Sequence, residues 1–453
     1  MNIGKSIARV FSANFLQLMT SIIVGFFVPA ALSIEGYANL RTYTLYITYI
    51  GFTHLGFVDG MYIKYGGKDP YGIGQQKLKA EHRFFIYEQL AVTLVVVGIS
   101  IIFKKPLILF LGLSVLPING YSFHRMFFQA TGQFIKYTRC AYVYTCAYFV
   151  FNVLLALVFQ NNNPWMYCAA NMGANIIVFV FLEYLFYRQM RGVPVAYDDD
   201  LLENIKVGIF VLLGNLAVNM FYAIDQWFVK GGLTDADFAF YAFSVSMMSL
   251  VNVLFNAIGI TFYNYLALNP GKEKIKDIKT ILLWLGTMAS AAYFPLAAIV
   301  NIFLVKYIPS LNVIAISFAA FPYMIVINAL YVNLYKVEKN ERKYLKEVVQ
   351  MLVVAAILNT IALLTVKNIQ GISMATLISF VIWFFYATRH FSYLKIQRKE
   401  FVYLSFCIIL FFICSHCFFW LLGGIIYVIG IAIVSLLFFR ELIKEQLKII
   451  IKR

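Results

Sequence analysis

Apolar residues run through this chain in long blocks, separated by short segments that carry charge, proline, glycine or asparagine. A helix needs about 20 apolar residues to cross the roughly 30 Å hydrocarbon core of a bilayer. The pattern therefore predicts an all-α polytopic membrane protein with about 14 transmembrane helices. The predicted spans are 10–32, 37–58, 84–103, 107–123, 140–160, 165–187, 207–229, 238–262, 281–305, 311–334, 348–366, 372–388, 401–421 and 425–439. Leu422, Gly423 and Gly424 form the break between the last two spans, which is the weakest break of the series.

The composition agrees with this pattern and excludes several classes of protein. Of the 453 residues, 62% are hydrophobic and 13% are charged, whereas soluble domains are about 45–50% apolar and about 25% charged. A soluble enzyme is therefore excluded. The six cysteines are sparse and lie inside apolar blocks, which argues against a disulfide-stapled secreted protein.

Lysine and arginine fall almost entirely on one side of the predicted spans. With a cytoplasmic N-terminus, the inner segments hold 31 of the 37 basic residues. The outer segments hold Lys104, Lys105, Lys230, Lys306 and Lys367. Because cytoplasmic loops are enriched in basic residues, both termini are predicted to be cytoplasmic. The net charge of +16 is then a topology signal, and no nucleic-acid partner is expected.

Short aromatic motifs recur about 200 residues apart. Residues 62–65 resemble 262–265, and residues 184–187 resemble 384–387. Transporters are often built from repeated halves. We therefore predict an N-terminal six-helix lobe at 1–198, a C-terminal six-helix lobe at 199–400, and an additional helix pair with a basic cytoplasmic tail at 401–453.

Polar residues recur at helical spacing on the first, second, seventh and eighth spans. The stripes are Asn14, Gln17 and Ser21; Arg41, Thr44 and Thr48; Asn215, Asn219, Tyr222 and Gln226; and Ser249, Asn252, Asn256 and Tyr263. Hydrogen bonds between helices, at about 0.6 kcal/mol each, would explain single residues. Because polar groups in a membrane face protein or water, the concentration on four helices favours a shared hydrophilic lumen.

Arg41 is the one basic residue inside a predicted span, one turn from its outer end. A cation at bilayer depth costs about 2.5–3.5 kcal/mol on insertion scales, and less if the side chain extends to the interface. The alternative to such extension is a permanent positive charge that faces the lumen and binds an anionic group such as pyrophosphate.

Asp225 lies in the outer third of the seventh span. One interpretation is a local ion pair with Lys230, and the other is a gating or coupling pair that includes Arg41 as a candidate partner. The candidate substrate-binding residues are Arg41, Asp225, Lys64, Arg125, Asn215, Asn219, Tyr222, Gln226, Asn252 and Asn256.

Histidine and cysteine give no metal signal in the sequence. His54 and His416 sit in spans, where a lone histidine is more often packed and hydrogen-bonded than functional. Cys414 and Cys417 flank His416, but no second cluster accompanies them, so we expect no metal site. No nucleotide-binding domain and no cofactor are expected.

Several short stretches resemble bacterial polysaccharide flippases of the O-antigen (Wzx) type. They are residues 35–37, 55–60, 128–134, 224–226 and 371–379. That family belongs to the multidrug, oligosaccharidyl-lipid and polysaccharide exporter superfamily. The resemblance implies two six-helix lobes around a central cationic cavity. It also implies that Asp225 occupies a position where aspartate recurs in the family. Many members carry Arg or Lys at the next position, whereas this chain carries Gln226.

The resemblance implies a transporter of the bacterial cytoplasmic membrane, not an enzyme. Its substrate would be an undecaprenyl-pyrophosphate-linked oligosaccharide, an O-antigen or capsule repeat unit, moved from the inner to the outer leaflet by alternating access. Arg41, Lys64 and Arg125 would offset the charge of the substrate. Expected partners are this lipid and the membrane lipids, with a polysaccharide polymerase and glycosyltransferases as further candidates.

Two other functions stay open at this stage. A cation-coupled drug antiporter of the same superfamily would need carboxylates deep in the spans of the first lobe. Asp59 and Glu183 lie at the inner edges of their spans, so the sequence predicts no deep carboxylate there. A membrane polysaccharide polymerase is disfavoured because every outer loop is short, the longest being residues 230–237.

Overall fold

The described chain is helical and contains no strand. The computed structural model describes residues 3–70, 72–195, 201–268 and 271–451. The chain divides into two compact units, Met1–Asn219 (unit 1) and Met220–Arg453 (unit 2). Helices that begin in unit 1 are α1 Ile3–Ala31, α2 Ile34–Ile47, α3 Phe57–Tyr65, α4 Gln75–Phe103, α5 Pro106–Ala130, α6 Phe134–Val153, α7 Pro164–Gln189 and α8 Leu201–Gly232. Those of unit 2 are α9 Asp235–Ala267, α10 Lys272–Ser290, α11 Tyr293–Phe303, α12 Leu311–Phe318, α13 Phe321–Val326, α14 Val332–Val337, α15 Glu341–Thr365, α16 Ile369–Ala387, α17 Arg398–Cys417 and α18 Trp420–Ile451.

Within this part of the chain, twelve helices are long and apolar enough to cross a membrane, or thirteen if the bent pair Val305–Phe318 and Phe321–Val337 is one span. The prediction of an all-α polytopic membrane protein is confirmed. The predicted lobe boundaries at 198/199 and 400/401, and the cytoplasmic location of both termini, stay predictions.

Local sequence sets where many helices begin. Thr234 and Asp237 form a reciprocal capping box at the start of α9, and Gln397 and Glu400 form another at the start of α17. Asn368 caps α16 by accepting a hydrogen bond from the backbone of Gly371. Such caps satisfy backbone N–H groups that a helix leaves unpaired at its first turn.

The second predicted span is not one continuous helix, which corrects the sequence prediction for 37–58. The chain forms α2, then a 3₁₀ turn at Ile50–His54, then α3. Leu55 (φ 51°) and Gly56 (φ 88°) are both left-handed at this break. Gly56 tolerates that backbone conformation because it lacks a Cβ. Hydropathy does not record backbone conformation, so it does not detect such a break.

Unit 1 is held together by helices α4, α5, α6 and α7. Helix α5 packs against α4 and α7, and α6 packs against α7 and α1. A buried apolar cluster joins α3, α4 and α5, with the ring of Phe85 5.8 Å from Phe57 and 5.0 Å from Phe123. This packing fixes the ends of α4, α5 and α7 near one another.

The final helix pair belongs to unit 2. Helices α17 and α18 pack against each other and against α10, and α18 also contacts α11. A buried ion pair between Lys279 of α10 and Glu400 of α17, with an N–O distance of 2.7 Å, strengthens this contact.

The break in that pair lies at Phe418 and Phe419, not at Leu422–Gly424 as the sequence suggested. A Cβ on Gly423 would lie 2.3 Å from the carbonyl oxygen of Cys414, and a Cβ on Gly424 would lie 3.0 Å from Phe294. The two glycines therefore lie inside α18 and allow close packing, as small residues do between membrane helices.

Candidate functional site

The polar stripe on α8 changes character along the helix. Asn215 and Asn219 are exposed, Tyr222 is half-buried, and Asp225 and Gln226 are buried. The amide of Asn215 lies 3.5 Å from the carboxylate of Asp59 on α3, at the limit of a hydrogen bond. Because exposed amides avoid lipid, the first half of the stripe fits a face that contacts water.

Asp225 is held by donors from three helices. Its carboxylate accepts hydrogen bonds from the hydroxyl of Tyr241 on α9 (2.6 Å), the hydroxyl of Thr376 on α16 (3.1 Å) and the backbone N–H of Gln226 (2.7 Å). Lys230 instead pairs with Asp235 at 2.6 Å. The interpretation of Asp225 as a local partner of Lys230 is therefore wrong.

Two further predicted residues have distinct surroundings in unit 2. The hydroxyl of Tyr222 donates to the side-chain oxygen of Asn328. The Oδ1 atom of Asn252 is buried and has no hydrogen-bond partner among the described residues. The side chain of Asn256 lies outside those that the structure describes, so its predicted role stays a prediction.

Arg41 has a guanidinium that its neighbours do not fully satisfy. The residue is half-buried on α2, and its Nε atom is buried without a hydrogen-bond partner in the described part of the chain. On α1 of the same unit, Asn14, Gln17 and Ser21 are exposed along one face. An unpaired buried donor costs about 1–3 kcal/mol, so this nitrogen keeps Arg41 a candidate binding residue.

Lys64 and Arg125 have local partners instead. The Lys64 ammonium lies 2.7 Å from Glu81, a fully buried carboxylate that also accepts from Tyr65. The guanidinium of Arg125 lies 5.8 Å from the ring centres of both Tyr121 and Tyr137. A substrate would have to displace these partners, which makes both residues weaker candidates than Arg41.

The sequence interpretation missed a carboxylate near the middle of α4. Glu88 lies inside a candidate span, and the prediction of no deep carboxylate in the first lobe did not take it into account. Its Oε2 accepts from Gln89, whose own Oε1 accepts from Asn119 on α5. Glu88 Oε1 and Asn119 Oδ1 are buried without a partner among the described residues. The position of Glu88 within span 84–103 was already the signal.

A second cluster that the sequence did not indicate joins three helices of unit 1. His82 of α4, His124 of α5 and Glu183 of α7 bring their polar atoms within 4.8 Å of one another. These residues lie far apart in the chain and form no local motif, so only packing reveals them. They are of the types that bind divalent metal ions.

A separate cavity of about 610 Å³ opens in the loops of unit 1. It is lined by Gly74, Gln75, Gln76, Lys77, Gly192, Val193 and Pro194. The predicted substrate-binding residues are not among these, and the lining offers one charged side chain. We assign this cavity no role in the candidate site.

Comparison with solved structures identifies the fold. The chain resembles a lipid II flippase MurJ in an inward closed conformation, with a TM-score of 0.73 and 14% identity over 97% of this chain and 99% of that one. No family model and no curated protein matches the sequence.

Multidrug transporters of the MATE family, one of which is described as a member of the MOP superfamily, share less of the fold. An inward-facing MATE transporter gives a TM-score of 0.53 at 11% identity, covering 86% of this chain and 98% of that chain. A variant of the MATE transporter VcmN from Vibrio cholerae gives 0.53 at 12% identity, covering 86% and 96%. At these identities the comparisons establish the fold, and this chain has the helical architecture found in MurJ and in MATE transporters.

Proposed function

We propose that the chain is a flippase that moves an undecaprenyl-pyrophosphate-linked oligosaccharide from the inner to the outer leaflet of a bacterial cytoplasmic membrane. The observation that carries this proposal is the likeness to MurJ, which extends over nearly the whole of both chains, whereas the two MATE matches leave part of this chain uncovered. The extra pair α17 and α18 fits a substrate with a lipid tail, and the short motifs of the sequence support a glycan.

The charged headgroup gives the transport a direction. Moving one elementary charge through 100 mV changes the free energy by about 2.3 kcal/mol. A pyrophosphate with about two negative charges therefore gains about 4–5 kcal/mol when it leaves a cell that is negative inside. Alternating access around a site at mid-membrane depth supplies the route without ATP.

Arg41 is the residue best suited to meet the pyrophosphate. Its guanidinium offers paired donors that match phosphate oxygens, and its Nε has no partner among the described residues. The exposed amides of Asn215 and Asn219 suit hydroxyl groups of the glycan, because amides both donate and accept hydrogen bonds.

Reconstitution tests the proposal directly. Vesicles containing the purified protein would carry a fluorescent undecaprenyl-pyrophosphate-linked oligosaccharide in both leaflets, and an impermeant reductant would bleach the outer one. We expect protein-containing vesicles to lose nearly all fluorescence and protein-free vesicles to keep about half of it. Equal bleaching of the two would refute the proposal. In cells, deletion of the gene should make the lipid-linked oligosaccharide accumulate in the inner leaflet.

A cation-coupled drug antiporter is the second candidate, and Glu88 is the observation that favours it. Ionisable residues inside membrane helices often have a function in transport. Glu88 is such a residue, and its buried Oε1 has no hydrogen-bond partner among the described residues. The test is efflux of a cationic dye driven by a proton or sodium gradient. Efflux that is lost in Glu88→Gln but kept in Glu35→Gln would support the antiporter. Glu35 is exposed in the first turn of α2 and serves as the matched control.

A further inference from the structure

Two histidines and one glutamate converge in unit 1. The Nε2 atom of His82 lies 2.9 Å from Oε1 of Glu183, and Nε2 of His124 lies 2.8 Å from the same oxygen. The side chains of both histidines are 3% exposed and that of Glu183 is 13% exposed. Three helices, α4, α5 and α7, thus each contribute one potential ligand to a single point.

Aromatic rings hold the two imidazoles in place. The ring of Phe186 lies 4.1 Å from that of His82 and 5.5 Å from that of His124, measured between centroids. Phe123 contacts both rings from another side, at 5.3 Å and 5.5 Å. Such packing restricts rotation of the imidazoles and keeps their nitrogens directed toward Glu183.

The spacing suits a divalent transition metal after a small adjustment. Zinc binds histidine nitrogen at about 2.0–2.1 Å and carboxylate oxygen at about 2.0–2.2 Å, which separates tetrahedral ligand atoms by about 3.3 Å. The observed separations of 2.8 and 2.9 Å would open by about half an ångström through a small shift of the Glu183 side chain, which is the most exposed of the three. Each neutral imidazole would bind through Nε2 and carry its proton on Nδ1.

We propose that His82, His124 and Glu183 form a binding site for a divalent transition-metal ion, with zinc as the best-fitting ion, that joins α4, α5 and α7. Two imidazoles and one carboxylate are a ligand set that zinc accepts, and they leave a fourth position for water. The carboxylate supplies the negative charge that partly offsets a buried dication. A bound ion would clamp three helices of unit 1 together.

Binding of the metal itself tests this proposal. Protein purified without a polyhistidine tag and stripped with a chelator would be titrated with ZnCl₂ in a calorimeter and with CoCl₂ by visible absorption. We expect one ion per chain in the wild type, with the absorption of a four-coordinate cobalt centre. His82→Gln and His124→Gln should each weaken binding by at least about tenfold.

A matched control removes an imidazole from elsewhere in the chain. His416 of α17 is exposed and stands beside Cys417. His416→Gln should therefore leave affinity and stoichiometry unchanged. Loss of binding in His416→Gln, or equal binding in His82→Gln and the wild type, would overturn the proposal and leave the cluster as a hydrogen-bonded group.

A measurement on the wild type keeps the test valid if the variants do not fold. X-ray absorption at the zinc edge of the loaded wild-type protein should show scattering from two imidazoles. A ligand that binds the native state also raises the unfolding temperature, so ZnCl₂ should stabilise the wild type. Absence of saturable binding, or a spectrum without imidazole scattering, would refute the site.

Discussion

The hydroxyl of Tyr241 donates a hydrogen bond of 2.6 Å to the buried carboxylate of Asp225. This contact links α8 to α9 in unit 2, and Thr376 extends it to α16. Hydrogen-bond donors from neighbouring helices offset part of the cost of burying a carboxyl group that has no cationic partner. Asp225 therefore positions three helices relative to one another.

Replacing Tyr241 with phenylalanine tests the strength of its hydrogen bond to Asp225. Hydrogen bonds to charged groups contribute about 1.5–3 kcal/mol, and those between neutral groups about 0.5–1.5 kcal/mol. We expect Tyr241→Phe to lower the free energy of unfolding more than Tyr222→Phe does, because Tyr222 donates to the neutral Asn328. Thermal unfolding in detergent measures both. Equal losses would show that the hydrogen bond to Asp225 is no stronger than one to a neutral acceptor.

Contact between α3 and α8 depends on three glycines. A Cβ on Gly208 would lie 1.9 Å from the carbonyl oxygen of Gly56, and a Cβ on Gly60 would lie 1.9 Å from that of Asn204. We expect Gly208→Ala to destabilise the protein by about 1–3 kcal/mol, the usual cost of overpacking. Gly231→Ala, in the same helix with no atom within 4 Å of the added Cβ, is the control. Fluorescence-detected thermal unfolding compares them, and similar midpoints would show that α8 shifts to accommodate the methyl group.

The apolar pattern predicted most helices because a helix that crosses lipid needs a long run of apolar residues. Such runs can be read from the sequence. The pattern misjudged 37–58, where the break depends on the left-handed backbone of Leu55 and Gly56. It also placed the last break at Leu422–Gly424, where Gly423 instead allows close packing against α17. Hydropathy measures side-chain polarity, and neither backbone conformation nor helix contact enters it.

The candidate site divides in the same way. Arg41 and Asp225 stood out in the sequence because each carries charge inside an apolar block. Glu88 also carries charge inside an apolar block, the predicted span 84–103. His82 and His124, by contrast, lie near the ends of their helices, and only the packing of α4 and α5 shows that both approach the same carboxylate oxygen.

The basic residues predict a topology that labelling can test. The exposed native cysteines, Cys146 and Cys417, would first be replaced by serine. In this background an impermeant maleimide should label Lys105→Cys in intact cells. It should label Gln76→Cys only after permeabilisation, because residues before α4 are predicted to be cytoplasmic. Lys367→Cys and Lys399→Cys form a second pair with the same expectation. Labelling of Gln76→Cys in intact cells would invert the topology.

Arg41 gives the sharpest test of the proposed flippase function. If its guanidinium binds the pyrophosphate, Arg41→Ala should reduce flipping in reconstituted vesicles by at least about tenfold, since hydrogen bonds to charged groups contribute about 1.5–3 kcal/mol. Arg41→Lys should keep part of the activity, because it retains the charge but loses paired donation. Arg83→Ala is the control. Arg83 is exposed on α4, with its guanidinium 5.3 Å from the ring centre of Tyr87, so flipping should match the wild type.

Salt dependence distinguishes binding of an anion by Arg41 from a structural role. Interactions between partly exposed charges weaken as ionic strength rises, so the wild type should lose apparent affinity for the lipid at high salt more steeply than Arg41→Ala does. Unfolding temperatures of the two proteins provide the structural comparison. Unchanged flipping in Arg41→Ala would remove this residue from the mechanism, and a matching fall in flipping and unfolding temperature would assign it to the stability of α2.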